Sequence, residues 1–349
     1  MKIKFIITAL LSVLVLEANA QNPSDEEVKK VAAAGTALKG NTDTGWIKGG
    51  FFSTNISNTT FSNWASGGTN NSAFIANSSL FAIYHSKDMK NMWEHYLDLA
   101  YGVIRNGDGK IKDPMSPYFG KTNPFVKNED KLVFTSKYGR KINDKLNLSG
   151  LFSLNTQMFQ GWAKEDIYRE NNHVSNFLAQ GFGYISVGID YKPKSWLSVY
   201  VSPITAKYTI VREQRLADLG VFGVAPAVYD YSDTIGGKAP IKIADGEKLR
   251  KELGWYANIF LKRDLAKNIN LQSRLELFNN YQNFGQNIDV NWQNTLNMKI
   301  NKYFAVSLIN QLIYDYDVDT DPSKEGNQIR VQLKNFFGIG FSAKFGDKL

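Results

Sequence analysis

From Gly45 onward, apolar and polar side chains alternate along the chain in one stretch after another. Successive side chains leave a pleated strand on opposite sides, so this alternation reads as β-strand. "NINLQSRLEL" sets Ile269, Leu271, Leu275 and Leu277 against Asn270, Gln272, Arg274 and Glu276. "IDVNWQNTLNMK" sets Ile288, Val290, Trp292, Leu296 and Met298 against Asp289, Asn291, Gln293, Asn297 and Lys299. The last such stretch, "RVQLKNFFGIGFSAKF", runs from Arg330 to Phe345. It is far longer than the usual strand of about five or six residues.

The pattern predicts about twelve strands, near residues 46–57, 72–85, 92–105, 130–141, 146–160, 180–191, 195–210, 250–263, 267–281, 287–300, 303–316 and 328–345. Short connections such as "SKDM", "KINDK", "KPKS", "RDLAK" and "NK" alternate with longer ones. The longer ones lie at 58–71, 106–129, 161–179, 211–249, 282–286 and 317–327. That alternation is the layout of an antiparallel transmembrane β-barrel with short periplasmic turns and longer outer loops. Aromatic residues near the strand ends fit the two membrane–water interfaces. Tyr191, Trp196, Phe304 and Phe345 fall at the periplasmic side, and Tyr101, Tyr281, Tyr314 and Tyr316 at the outer side. A soluble sandwich would turn the apolar faces inward, but twelve strands enclose more room than such a core fills.

The chain opens "MKIKFIITALLSVLVLEANAQ". A basic start, a short apolar run and Ala18-Asn19-Ala20 read as a secretory signal peptide over residues 1–20. Residues 21–44 form a short polar periplasmic segment, and residues 45–349 form the barrel. The chain has no cysteine, so disulfides and lipidation at cysteine are excluded. Its formal net charge is +8. The basic residues are scattered and no nucleic-acid motif accompanies them, which argues against a nucleic-acid partner.

Several passages carry a resemblance to a known family. "TGWIKGGFFSTNISNTTFSNWASGG", "LDLAYGVIRNGDG", "LVFTSKYG", "VSPITAKYTIV", "LADLGVFGV" and "NIDVNWQNTLNMKINKY" are similar to an uncharacterised family of Gram-negative envelope proteins, domain of unknown function 3078. The resemblance runs from about Gly45 to Phe345. It implies an outer-membrane β-barrel in a Gram-negative bacterium and brings no catalytic residues with it.

Candidate chemistry lies on the face opposite the lipid. The lumen-lining candidates are Asp98, Lys137, Asp190, Lys262, Arg274, Glu276, Asp289, Lys299, Arg330 and Lys334. They would line a solute path or tie the strands together as an internal network. Phe81, Tyr96, Tyr184, Tyr200, Tyr256, Phe260, Phe278 and Phe336 share that face, where they would narrow a pore, stack on a sugar or aromatic ligand, or simply fill space. In "VREQRLADLGVFGVAP", Arg212, Arg215 and Phe222 are candidates for a constriction loop; a cap packed on the rim is the expected alternative, because packing explains most apolar loop residues. "DYDVDTDPSKE" reads as a solvated acidic loop rather than a cation site, since its spacing departs from that of a calcium loop.

The leading expectation is a channel for small polar or anionic solutes. A non-conducting structural or assembly-partner barrel is the alternative, and an outer-membrane enzyme comes third. With His85, His95 and His173 the only histidines and no nucleophile-elbow pattern, no catalytic residue is assigned and no enzyme is expected. Neither a cofactor nor a metal is expected. The expected partners are outer-membrane lipid and, during biogenesis, the barrel-assembly machinery.

Overall fold

A computed structural model describes residues 44–59, 71–107, 110, 119–121, 124–162, 173–194, 196–232, 239–283, 287–300, 304–317 and 329–346. The expected signal peptide, nearly all of the 21–44 segment, and Asp319 and Asp321 of the acidic loop lie outside them.

Twelve long strands close into one antiparallel barrel. They are β1 Gly45–Thr59, β2 Asn71–His85, β3 Asn91–Asn106, β4 Val126–Lys141, β5 Leu146–Thr156 and β6 Ala179–Lys194. Then follow β7 Leu197–Val211, β8 Leu249–Ala266, β9 Ile269–Asn280, β10 Asp289–Lys299, β11 Phe304–Tyr314 and β12 Gln332–Gly346. Each pairs with its chain neighbours, and β12 returns to β1 in register Gly49↔Gly346 through Thr54↔Phe341. Closure leaves no edge strand, which a sheet needs if it is to sit in hydrocarbon. Strands of 11 to 18 residues meet or exceed the roughly nine to eleven that a tilted membrane span requires. The excess stands at the long-loop end.

Every predicted strand is present. The differences lie at ends: β5 stops at Thr156 rather than at residue 160, and β12 begins at Gln332 rather than at 328. The long loops also carry structure that alternation could not announce. Two small hairpins pair Gly161–Trp162 with His173–Ser175 and Val228–Asp230 with Ile241–Ala244, and a short helix spans Gln214–Asp218.

The outward face is apolar. Phe74, Leu80, Phe152, Ile185, Val187, Ile204 and Leu253 all stand exposed on it. Near the short-turn end it bears a belt of rings. Trp46 lies 5.4 Å from Tyr84 and 5.9 Å from His95, whose ring in turn lies 6.4 Å from Phe134. Trp93 Nε1 donates to Ser136 Oγ at 3.0 Å, and the Tyr138 hydroxyl donates to Asn91 Oδ1 at 2.9 Å. Rings with one polar tip settle where hydrocarbon meets water. An even-stranded closed barrel with this outer face, short turns at one end and long loops at the other lies in the outer membrane, turns toward the periplasm.

One irregularity decides where the chemistry sits. Along β7 the register with β6 passes from Ile189↔Val201 to Val187↔Ile204, and with β8 from Tyr256↔Ser202 to Gly254↔Thr205. Between those points β7 uses three steps where each neighbour uses two: it carries one extra residue. Pro203 stands there, a residue that cannot donate to a ladder and so belongs at a bulge. The extra residue reverses which side chains face inward. Tyr200 and Ser202 point in before it, and Thr205, Lys207, Thr209 and Val211 after it, all six buried. Side chains stitch the interruption. Ser202 Oγ lies 2.8 Å from the carbonyl oxygens of Val187 and Ile204, and Thr205 Oγ1 donates to it at 2.9 Å. Glycine stands opposite on each side: a Cβ at Gly188 would lie 2.2 Å from the Val201 carbonyl, and one at Gly254 2.1 Å from that of Asn279.

The charged lumen as candidate functional site

Charge faces inward along the whole height of the barrel, in three tiers. At the short-turn end Asp190 binds the ammonium of Lys137, lies 3.3 Å from Lys192 and accepts from Ser198 Oγ at 2.9 Å. Glu94, buried, pairs in register with Lys137. Asp190 is 1% exposed, so its charge persists only because these donors surround it.

In the middle tier Ser79 Oγ donates to Asp98. The Arg274 guanidinium lies over the Phe260 ring at 5.4 Å. Glu276 accepts from the Tyr256 hydroxyl at 2.9 Å, from Asn258 Nδ2 at 3.1 Å and from Asn291 Nδ2 at 3.0 Å. Lys262 pairs in register with Gln272 on the same inward face. Beside this tier an aromatic cluster fills one wall. Tyr184 lies 6.0 Å from Tyr256 and 6.3 Å from Phe278, and Tyr200 lies 6.2 Å from Tyr256.

The outer tier is centred on Lys207. Its ammonium lies 2.7 Å from Asp289, 3.8 Å from Glu252 and 3.9 Å from Asp315, and 5.1 Å from the centre of the Phe278 ring. Arg250 extends the network, 3.0 Å from Glu252 and 2.6 Å from Asp317. Two cations therefore meet four carboxylates. Carboxylate oxygens of Asp289, Asp315 and Asp317 all lie within 4.8 Å of one another. The lysine ammonium already serves this group as a fixed counter-charge.

Several of these pairs skip strands. Lys137 on β4 reaches Asp190 on β6 past β5. Lys207 on β7 reaches Asp289 on β10 past β8 and β9. Arg250 on β8 reaches Asp317, just beyond β11. Such contacts are chords across the lumen, and they narrow it.

Above the outer tier the loop after β7 folds onto the rim. Leu216, Ala217 and Val224 pack on Ala179 and Val211, with Val221 and Phe222 against them. Glu213 accepts from Asn176 Nδ2 and bonds His173 Nε2, and the Arg215 guanidinium donates to the His173 carbonyl oxygen. Burial acts to raise the Glu213 carboxyl, but these donors and the charges of His173 and Arg215 outweigh it and hold the group below its ordinary range. The Lys242 ammonium, Gln214 and the Gly246 N–H hold the Asp218 carboxyl down at about 2.

Of the residues singled out from sequence, Asp98, Lys137, Asp190, Lys262, Arg274, Glu276 and Asp289 stand on the inward face. The side chains of Lys299 and Lys334 lie outside the described residues. Arg330 is exposed and precedes the first residue of β12, so it sits at the outer mouth and not on a lumen strand. Arg212 is exposed, Arg215 is turned to His173, and Phe222 packs in the apolar cap. Sequence reading missed Lys207, Arg250, Glu252, Glu94 and Lys192. For Lys207 a signal existed: the inward face reads Tyr200, Ser202, then Thr205, Lys207, Thr209, and Pro203 marks the slip.

The family described as a protein of unknown function (DUF3078) matches residues 56–162, the first part of the stretch over which the resemblance was read. No curated protein matches the chain. Among solved structures, the chain is similar to the translocator domain of the autotransporter NalP from Neisseria meningitidis, at 9% identity, TM-score 0.36, covering 90% of this chain and 94% of that one. It is also similar to an outer membrane channel from Pseudomonas putida F1, at 10% identity, TM-score 0.41, covering 87% and 97%. A third is the outer membrane channel DcaP of Acinetobacter baumannii, at 9% identity, TM-score 0.28, covering 87% and 96%. No residue role is carried over from these three.

Proposed function

We propose that the protein is a narrow outer-membrane channel for small polar solutes. The observation that supports it is the unbroken inward run of charged side chains, from Asp190 at the turn end to Asp317 at the loop end. A lumen lined this way offers hydrogen bonds and counter-charges at every depth, which is how a pore replaces lost hydration. The expectation of an anionic solute draws less support than that of a polar one. At the outer tier four carboxylates face two cations, so an arriving anion meets net negative charge and a cation is drawn in. We read the barrel as non-catalytic, with His95 engaged by rings and His173 by Glu213.

A non-conducting barrel is the second reading. The chords across the lumen and the aromatic wall favour it. Single-channel recording in a planar bilayer separates the two. The channel reading expects a small conductance with a cation preference, and a reversal potential that moves toward anions in the double variant Asp315→Asn, Asp317→Asn. Absence of any wild-type conductance in well-folded protein leaves the non-conducting barrel.

A further inference from the structure

The periplasmic rim carries a second electrostatic feature, and apart from Lys192 beside Asp190 the lumen does not use it. The five short connections with their flanking residues span 86–90, 140–145, 192–196, 263–268 and 299–303. Together they hold eleven Lys or Arg and three Asp. Their excess, eight positive charges, equals the formal net charge of the entire chain, +8. Among the described turns, Lys87 and Lys90, Arg140 and Lys145, Lys194, and Arg263 and Lys267 follow one another from β2 to β9, so the charge is distributed around the barrel rather than gathered on one side.

Six of these cations are not spent inside the fold, while Lys192 turns inward to Asp190 and Lys141 pairs with Asp144. Lys87, Lys90, Arg140, Lys145, Lys194 and Lys267 are exposed, and none forms an ion pair among the described residues. The turns stand at the level of the ring belt, where the Tyr138 hydroxyl donates to Asn91, the residue after Lys90. Arg263 lies 5.7 Å from the centre of the Trp196 ring, and Lys48 lies 5.9 Å from that of Trp46. Cations beside interfacial rings sit at headgroup depth, within one Debye length of the lipid phosphates.

We propose that this rim is a binding surface for anionic phospholipid headgroups of the inner leaflet. A row of cations at one depth, from the β2–β3 turn round to the β8–β9 turn, fits an annulus of lipid, which meets the barrel on all sides. An acidic protein partner would press on one side and needs cations there only. The inference rests on the barrel's place in the membrane and not on whether its lumen conducts.

The test uses the full chain in bilayer discs of phosphatidylcholine with a minor share of phosphatidylglycerol. After release into mild detergent, native mass spectrometry counts the lipids retained on each barrel. Folding of each variant is checked by heat-modifiable gel mobility. Wild type is expected to retain phosphatidylglycerol several-fold above its share in the disc. The triple variant Lys90→Ser, Lys194→Ser, Lys267→Ser should lose most of that enrichment, each single change a part of it, and high salt should erase it. Retention at the bulk ratio in wild type overturns the proposal, as does enrichment that survives the triple variant. Loss produced by one turn alone also overturns it and points instead to a local contact with a protein. All of these outcomes are independent of any conductance measurement.

Discussion

The two ends of the barrel treat charge in opposite ways. At the outer end Lys207, Arg250, Glu252, Asp289, Asp315 and Asp317 are folded into one another, and the lysine is almost wholly buried. At the turn end Lys87, Lys90, Arg140, Lys145, Lys194 and Lys267 stand in water without an ion pair among the described residues. The side-chain types are the same. What differs is whether the backbone around them turns inward or ends. A charge carried inward on a strand loses water and must find partners. A charge on a two- to five-residue turn keeps its water and costs the fold nothing. Buried charge thereby becomes structure, and exposed charge remains free to meet something else.

The largest expected effect removes the centre of the outer tier. Lys207→Met keeps much of the side chain's volume but leaves Asp289, Asp315 and Glu252 without their shared cation. Breaking a buried pair from one side costs about 3 to 5 kcal/mol. Lys90→Met at the turn end should shift stability by no more than about 0.5 kcal/mol, as surface changes do. Urea titration of both variants in the same lipid checks the contrast. Comparable losses would mean that the two ends do not differ in the way described, and equal tolerance would mean that the outer cluster is hydrated after all.

A smaller effect is expected from the bulge that creates the difference. Gly188→Ala would place a Cβ against the Val201 carbonyl, which is backbone and cannot rotate away. Overpacking of this kind typically costs about 1 to 3 kcal/mol. If β7 answers by moving the extra residue, Lys207 loses its inward place, and Gly188→Ala should then share part of the Lys207→Met phenotype. Additive losses in the double variant would show that the two sites act independently.

Much of the barrel was legible because its information is periodic. Twelve alternating stretches and two classes of connection gave strand count, closure and orientation without any long-range knowledge. The inward faces of β3, β4, β6, β8, β9 and β10 followed by parity, and Asp98, Lys137, Asp190, Lys262, Arg274, Glu276 and Asp289 came with them. Parity is also where the reading failed. A single inserted residue near Pro203 exchanges the faces of the rest of β7, and Lys207 at the centre of the outer tier was lost with it. Asp315 and Asp317 were read as solvated because their partners, Lys207 and Arg250, lie 108 and 67 residues away in the chain. Pairings that cross the lumen leave no local trace. The rim cations were visible as residues but not as one rim, since only closure of the barrel brings the turns that carry them to one level.

The smallest expected effect concerns acid. Each end has a carboxylate held below its ordinary range by a lysine: Asp218 in the outer loop, by Lys242 2.9 Å away, and Asp144 in a turn, by Lys141 2.7 Å away. A carboxyl depressed in the folded state lends stability above its unfolded value of about 4, and that stability is lost as pH falls through the folded value. For Asp218 the window runs from about 4 down to about 2. The two ends should respond differently within it. Asp218 also accepts from Gln214 at 2.7 Å and from the Gly246 N–H at 2.8 Å, so it ties the helix Gln214–Asp218 to the strand that leads into β8. Protonation there should loosen the apolar cap. Asp144 is nearly fully exposed, and its pair with Lys141 is of the surface kind that contributes little. Hydrogen exchange at pH 7 and near pH 3, referred to the intrinsic amide rate at each pH, should therefore show lower protection over residues 214–227 at the lower pH, with protection of the turn at 142–145 unchanged. Asp218→Asn should open the cap at pH 7 and remove its acid response. Protection lost equally at both ends would mean that acid acts on the barrel as a whole and not through this carboxylate.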